Sequence, residues 1–187
     1  MHTVYTGERV RLRPFTDKEE ILGLWDELHT VPNEFWGPWW DTRQTREKKF
    51  EDAGMIDPGK YSMYAMERVD TGELVGYEEH GGMEHGAIFN WFGTFIKPEH
   101  WSNGFGIEAK QLCMCYLFEN YPLMRLDTAT LQNHKRARAG LIACGMYYEG
   151  AIRGYHYSDG RYWDMVCYAI NREEWETLPI RKVVKRG

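Results

Sequence analysis

Residues 96–109 of this chain read Ile-Lys-Pro-Glu-His-Trp-Ser-Asn-Gly-Phe-Gly-Ile-Glu-Ala. Gly104 and Gly106 lie in a turn before a predicted helix. The helix is predicted because apolar residues recur at the spacing of one helical face, namely Ala109, Leu112, Cys113, Tyr116 and Leu117. Amides that glycine leaves accessible at the positive end of a helix suit a pyrophosphate. The same pair is also typical of an ordinary tight turn, and it matches neither a dinucleotide-binding fingerprint nor a P-loop.

The patterns around this unit predict the rest of the domain. Alternation and helical periodicity give the element order β-α-α-β-β-β-α-β-α-β-β. Thr16 and Glu19 have the spacing of a capped helix start, residues 87–96 are predicted to form one strand, and Gly145 suits a left-handed helix end. We therefore expect a single mixed α/β (α+β) domain over residues 1–187.

Composition narrows the class of function. The 187 residues are 43% hydrophobic and carry a formal net charge of -5, which argues against nucleic acid as a partner. No run approaches the roughly 18 apolar residues of a membrane-spanning helix, and the N-terminus lacks the order of a secretory signal. The four cysteines show no Cys-x-x-Cys spacing. We expect a cytoplasmic protein with reduced thiols, no membrane partner and no metal.

The segment 96–109 resembles the acetyl-coenzyme A loop of the GNAT N-acetyltransferases, in particular the branch that contains the ribosomal-protein alanine acetyltransferases. That signature is Arg/Gln-x-x-Gly-x-Gly/Ala, and Trp101 stands in the Arg/Gln place. Three further stretches are similar to the family in order and spacing, namely residues 7–14, 134–146 and 159–164. The resemblance spans nearly the whole chain. It implies the GNAT acyltransferase fold, a central mixed, mainly antiparallel sheet flanked by helices.

The resemblance also implies acetyl-coenzyme A as the co-substrate. Phe95 and Ile96 would offer backbone groups to the pantetheine arm, and one N–H near them would face the thioester carbonyl. Backbone amides would cradle the pyrophosphate at Trp101, Ser102, Asn103, Gly104, Phe105, Gly106 and Ile107. Asn133, His134 and Arg136 match positions that approach the distal cofactor, although helix capping and a solvated face explain them equally well.

The family's acid and base residues are missing at their usual places. An amine must lose a proton before it attacks a thioester, because it is mostly ammonium at neutral pH. Many family members carry a glutamate on the strand before the loop, where this chain has Asn90 and Trp91. Many also carry a tyrosine where this chain has Leu141, which leaves the acid for the thiolate vacant or filled from elsewhere, with Tyr147 and Tyr148 as open alternatives.

The nearest replacements lie on the adjacent predicted strand. Alternation places Glu78 and His80 on one face and Glu79 on the other. We favour Glu79 as the base, followed by Glu78 and His80, with Asn90 as a further catalytic candidate. The alternative is that these residues are solvated charges at a strand end.

An aromatic segment is predicted to cover the acceptor. Trp36, Trp39 and Trp40, together with Glu34 and Asp41, lie in the connection that the family uses for this purpose. Aromatic faces and carboxylates attract a cationic amine. Packing between the two flanking helices is the alternative explanation.

The sequence thus predicts an acetyl-coenzyme A dependent N-acetyltransferase in which a primary amine attacks directly within a ternary complex. The acceptor is either a small-molecule amine or the N-terminal amine of a protein, and the aromatic segment favours the small molecule. The rival hypothesis is a catalytically silent acyl-CoA binding or sensing domain. Dimers are common in the branch, so a homodimer is compatible with the exposed aromatic residues.

Overall fold

The computed structural model describes residues 4–29, 42–58, 60–84, 88–89, 91–158 and 160–187. The helices are α1 (Lys18–His29), α2 (Arg43–Ala53), α3 (Phe105–Asn120), α4 (Lys135–Ala143), α5 (Arg172–Glu176) and α6 (Ile180–Val183). The strands are β1 (Tyr5–Thr6), β2 (Val10–Arg13), β3 (Ile56–Asp57), β4 (Tyr61–Arg68), β5 (Leu74–His80), β6 (Met83–Glu84), β7 (Ile88–Phe89), β8 (Phe92–Ile96), β9 (Arg125–Leu131), β10 (Tyr147–Ser158), β11 (Arg161–Asn171) and β12 (Lys185–Arg186).

The strands form two sheets. The first has the order β12-β1-β2-β4-β5-β8, with β3 paired to β4, and all its pairs are antiparallel. The second has the order β10-β11-β9-β7-β6, in which only the pair β7–β9 is parallel. The predicted mixed, mainly antiparallel architecture is therefore confirmed.

The predicted continuous strand over residues 87–96 is wrong. Its first part, β7, pairs with β9 in the second sheet, whereas its second part, β8, pairs with β5 in the first sheet. Thr128 Oγ1 of β9 donates to the carbonyl of Phe92 at 3.2 Å, in place of a further ladder contact. Both parts share one alternating pattern, so the sequence does not reveal the change of partner. As a result β8 and β9 diverge, and a split opens between the two sheets.

Helices cover both faces of the first sheet. On one face, Tyr64 and Val75 pack with residues of α3, which is buried around most of its circumference. On the other face, Met63, Ala65 and Tyr77 pack with apolar residues of α1. Because β4 and β5 are covered on both sides, the carboxyl groups of Glu67, Glu78 and Glu79 are held in the protein interior. Within the described ranges, no helix has the length and apolar character to cross a membrane.

Two helix ends test the capping predictions. The capping contacts at α1 are displaced by one residue, since Asp17 Oδ1 accepts from the backbone N–H of Glu20 at 2.8 Å and the Glu20 carboxylate accepts from the N–H of Thr16 at 2.8 Å. Asp17 caps the helix because it directly precedes Lys18, the first residue of α1, and its carboxylate therefore reaches the amide three residues on. The left-handed end after α4 is confirmed by a φ of 105° at Gly145.

Candidate active site

The open edge of β8 forms one wall of the split. Lys97 N–H donates to the Val75 carbonyl at 2.9 Å, and Gly81 N–H donates to the Trp91 carbonyl at 3.0 Å. Hydrogen-bonded pairs alternate along an antiparallel ladder, so the backbone of Phe95 points into the sheet, towards β5. The register therefore contradicts the prediction that Phe95 offers backbone groups to a ligand; its side chain stacks on Tyr77.

The residues on either side of Phe95 have their backbone groups available to a ligand instead. By the same alternation, the backbone groups of Thr94 and Ile96 face the split. The Ile96 carbonyl accepts a hydrogen bond from Trp101 Nε1 at 2.8 Å. The N–H groups of Thr94 and Ile96 and the Thr94 carbonyl then form the edge to which an extended ligand could add as a strand. Trp101, the variant residue of the signature, ties the following loop to the end of β8.

The loop before α3 presents unpaired backbone donors. Trp101 N–H donates to the Pro98 carbonyl at 3.1 Å, so this predicted donor is used internally. Among the described residues, the N–H groups from Ser102 to Ile107 have no acceptor. Ser102 and Gly104 have φ values of 66° and 81°, which turn successive amides towards one concave side. Together with the N-terminus of α3, this geometry suits a phosphate group.

The turn between β1 and β2 supports the loop that precedes α3. The Glu108 carboxylate accepts from the backbone N–H groups of Glu8, Arg9 and Val10 at 2.8 to 2.9 Å. Arg9 Nη1 donates to the Asn103 carbonyl at 2.8 Å. A Cβ atom at Gly104 would lie 2.7 Å from Arg9 Nη1, the end of a flexible side chain, and the φ of 81° is what favours glycine there. Sequence reasoning missed Arg9 and Glu108, because their partners lie about a hundred residues away in the chain.

The start of α4 reaches the same loop. The Arg136 guanidinium lies 3.5 Å from the centre of the Trp101 ring. His134 Nδ1 lies 3.3 Å from Thr130 Oγ1, and burial lowers the pKa of His134 to about 4, so its imidazole is neutral at pH 7. Asn133 Oδ1 is buried and has no hydrogen-bond partner among the described residues. The structure thus brings these three predicted positions to the loop side of the split.

Glu79 lies on the face that α1 and α2 cover. Its Oε2 accepts from the Tyr61 hydroxyl at 2.7 Å and lies 3.6 Å from Arg46 Nη1, which also donates to the Tyr61 oxygen at 2.6 Å. Burial raises the pKa of Glu79, against the opposing attraction of Arg46. A Cβ atom at Gly93 would lie at an ordinary contact distance of 3.8 Å from Glu79 Oε1, so the carboxyl group lies directly beside the backbone of β8. No pattern in the sequence indicated Arg46.

Glu78 lies on the opposite face, beneath α3. The Thr94 hydroxyl donates to Glu78 Oε2, and Lys110 Nζ donates to Thr94 Oγ1. Glu78 Oε1 is buried without a hydrogen-bond partner among the described residues. Burial raises the pKa of Glu78 to about 8, although the Lys110 charge acts in the opposite direction. Lys110, which sequence reasoning missed, lies on the helical face next to the split.

His80 is excluded as a catalytic group. Its ring lies 5.7 to 6.2 Å from the rings of Tyr116 and Tyr64, and its Nδ1 is 3.1 Å from the Gly81 carbonyl. Burial lowers the pKa of His80 to about 4. The residue is fully buried within the aromatic core, so it does not reach the split.

The remaining candidates fall in three places. Asn90 and the whole aromatic segment lie outside the described residues, that is Glu34, Trp36, Trp39, Trp40 and Asp41. Tyr147 and Tyr148 are exposed on β10, at the edge of the second sheet and separated from the split by β11 and β9. Leu141 is buried in the core, and all four cysteines are free thiols.

Known proteins share the fold of this chain. The acetyltransferase (GNAT) domain matches residues 9–147. The chain is 30% identical over 107 residues to YoaA, an uncharacterized N-acetyltransferase of Bacillus subtilis, a match that covers 57% of this chain and 60% of that protein. Spermidine N-acetyltransferase of Vibrio cholerae, solved with CoA and spermine, superposes with a TM-score of 0.73 at 18% identity over 92% of this chain and 98% of that one.

A second solved structure agrees with the first. RimL, a ribosomal-protein alpha-N-acetyltransferase in complex with coenzyme A, gives a TM-score of 0.73 at 15% identity over 88% of this chain and 94% of that one. At these identities the likeness establishes the fold, a mainly antiparallel sheet flanked by helices and split at β8 and β9. The matched domain covers well over half of the sequence, and the chain belongs to the GNAT acetyltransferase family.

Proposed function

We propose that this protein transfers the acetyl group of acetyl-coenzyme A to a primary amine by direct attack within a ternary complex. One observation carries the proposal: the unpaired amides from Ser102 to Ile107 lie next to the open edge of β8. The pyrophosphate fits the amides, and the pantetheine arm fits the groups of Thr94 and Ile96. An N–H of Thr94 or Ile96 then donates to the thioester oxygen as negative charge develops there.

Glu79 is the proposed base. It lies on the face opposite α3, so a substrate between α1, α2 and β8 meets its carboxylate beside Gly93. The Tyr61 hydroxyl fixes the position of Glu79 Oε2. Arg46 lies 3.6 Å from that oxygen, and Lys49 Nζ lies 4.7 Å from the Tyr61 ring centre. These positive charges lower the pKa of an amine bound nearby, which makes its proton easier to remove.

The proposed acceptor is a small primary amine. Glu79 is only 7% exposed, so an amine on an unbranched methylene chain reaches it more readily than one on a substituted carbon. The two solved relatives act, by their names, on spermidine and on a ribosomal protein. The alternative acceptor, a protein N-terminus, carries its amine on a substituted carbon.

An amine panel tests this proposal. Purified protein is incubated with acetyl-coenzyme A and one acceptor at a time: spermidine, a simple alkylamine, or a peptide with N-terminal alanine. Released thiol is the readout. Thiol release with spermidine or the alkylamine and none with the peptide supports a small-molecule acceptor. Thiol release with the peptide alone indicates that the acceptor is a protein N-terminus. Tight binding of acetyl-coenzyme A without thiol release in the presence of any acceptor would contradict this proposal and favour a catalytically silent acyl-CoA binding domain.

We also propose that the protein is a cytoplasmic homodimer. The edge strand β10 and its neighbour β11 expose several large side chains, namely Tyr147, Tyr148, Ile152, Tyr155, Tyr157 and Tyr162. Such an edge is a template for pairing with another strand, and a second copy offers the same edge in antiparallel orientation. Light scattering should give twice the chain mass for the natural protein and the single mass after Tyr155→Ser with Tyr157→Ser. A monomer before substitution contradicts the proposal.

A further inference from the structure

Acetyl transfer also needs an acid on the cofactor side of β8. When the C–S bond breaks, the electron pair leaves with sulfur, and protonation of the thiolate completes the reaction. Leu141, at the place of the family's tyrosine, has no proton to give. His134 is neutral at pH 7, and Tyr147 lies on the far side of the second sheet. Among the described residues, we therefore look for the acid in another side chain at the split.

We propose that Lys110 is this acid and that Glu78, through the Thr94 hydroxyl, is the positioning residue that holds the Lys110 ammonium in the split. This inference rests on the proposed function. Lys110 donates to Thr94 Oγ1, and Thr94 donates to Glu78 Oε2, so the hydrogen bonds run in one direction from the ammonium to the carboxylate.

Lys110 lies at the β8 wall of the split. Its ammonium contacts Thr94, whose backbone lies on the open edge of β8. Its positive charge also contributes to lowering the pKa of His134, which follows β9. Lys110 also lies one turn of α3 beyond the amides that fit the pyrophosphate. A pantetheine arm running from those amides along β8 passes the ammonium.

The surroundings of Lys110 are predominantly neutral or acidic. The titratable groups that its charge influences come from three parts of the fold, namely Glu78 on β5, Cys113 on α3, and His134 and Cys144 at the two ends of α4. Both thiols are buried, and burial raises the pKa of each, so they stay protonated at neutral pH. Glu78 is thus the carboxyl group that the hydrogen bonds through Thr94 connect to the ammonium.

Proton removal by Glu79 and proton donation by Lys110 take place on opposite faces of the first sheet, and together they balance the reaction. The acceptor ammonium first releases one proton to water; the neutral amine nitrogen then forms the C–N bond and gives a second proton to Glu79, while the C–S electron pair goes to sulfur. One Lys110 N–H proton passes to that sulfur, which yields the free thiol and a neutral lysine. Lys110 is only partly buried, so water returns its proton, and Glu79 releases its proton to water. No oxidant, metal or further reactant is needed.

Two substitutions at Lys110 separate charge from proton donation. Lys110→Met removes both, whereas Lys110→Arg keeps the charge on a group that does not deprotonate in proteins. General acid catalysis contributes typically about 100-fold or more, so both variants should lose about that factor in kcat with little change in the KM for acetyl-coenzyme A. Lys182→Met, on the exposed side of α6, is the matched control and should keep the wild-type kcat.

A binding measurement gives an independent readout. The ultraviolet absorbance of the thiolate follows the pKa of the thiol of bound coenzyme A, and it requires no acceptor. A nearby ammonium favours the thiolate, so we expect this pKa to fall by about 1 unit in the wild-type complex, to remain low in Lys110→Arg, and to return to the free value in Lys110→Met. Glu78→Gln should give an intermediate pKa, because the ammonium is less firmly held.

The outcomes are distinct. A wild-type protein in which the bound thiol titrates as in free solution overturns the assignment, whatever the variants do. Lys110→Met with kcat within about threefold of wild type overturns it as well. If no amine is acetylated but the thiol pKa falls and depends on Lys110, the proposed reaction fails while the contact between Lys110 and sulfur stands.

Discussion

Glu78 and Glu79 are consecutive residues of β5, and their carboxylates lie on opposite faces of the sheet. Glu78 accepts from Thr94 beneath α3, whereas Glu79 accepts from Tyr61 on the side of α1 and α2. Both carboxylates are therefore next to β8, one on each side of the strand along which a thioester can bind. Proton removal from the acceptor and protonation of the leaving group can take place on separate faces.

Replacing Glu79 by glutamine should remove the base. We expect kcat to fall about 100-fold, which is typical for the loss of a general base. The wild-type pKa of Glu79 is raised by burial, so its ionised, active form is lost as the pH falls through that value. The acid limb of the kcat profile should therefore disappear in Glu79→Gln.

Tyr61→Phe is the matched control for this prediction. It removes the hydrogen bond to Glu79 Oε2 but leaves the carboxylate, so the acid limb should persist at a lower pH-independent rate. An unchanged limb in Glu79→Gln would remove Glu79 from the mechanism.

Gly104→Ala should weaken the binding of acetyl-coenzyme A by at least about tenfold. The φ of Gly104 is 81°, a conformation that costs other residues about 1 to 2 kcal/mol. Its new Cβ would also lie 2.7 Å from Arg9 Nη1. Calorimetric titration measures the Kd, and thermal unfolding follows stability.

Gly23→Ala is the control for the loop substitution. Gly23 lies within α1, and a methyl group added there would meet no atom of another element within 4 Å, so alanine should stabilise the helix by about 0.5 to 1 kcal/mol. Its Kd for acetyl-coenzyme A should not change. Equal affinities of both variants and the natural protein would contradict the role of the loop.

Glu108→Ala should destabilise the fold and loosen the loop together. Its carboxylate accepts from the backbone N–H groups of Glu8, Arg9 and Val10. Loss of hydrogen bonds to a charged group should lower the free energy of unfolding by about 2 to 3 kcal/mol. Chemical denaturation measures this change, with Glu99→Ala on the exposed turn before the loop as the control. A free energy of unfolding equal to that of the control would contradict this support of the loop.

Glu78 should make stability depend on pH. Burial raises its pKa in the folded protein from 4.5 to about 8, so folding favours the protonated acid. Stability from this group is fully present below the unfolded pKa and is lost as the pH rises towards the folded pKa. The free energy of unfolding of Glu78→Gln, relative to that of the natural protein, should therefore be greater at about pH 8 than at about pH 5. Denaturant unfolding at both values checks the sign, and an equal difference at both would contradict it.

Much of the site could be predicted because local patterns determine it. The glycine turn before α3 and the alternation of Glu78 and Glu79 each depend on a few adjacent residues, and the structure has both. The pairing register is not local: the change of sheet between β7 and β8 decides that Thr94, rather than Phe95, faces the split. Arg46 and Lys110 are charged partners that lie on helices distant in sequence. The sequence of the strands that they contact does not indicate them.

The binding of acetyl-coenzyme A at the loop before α3 is tested most directly by calorimetric titration with acetyl-coenzyme A beside acetyl-pantetheine, which lacks the pyrophosphate. We predict micromolar binding of acetyl-coenzyme A and a loss of at least about 100-fold for acetyl-pantetheine, because the amides from Ser102 to Ile107 then have no anion to bind. Equal affinities, or no binding of acetyl-coenzyme A, would contradict this assignment.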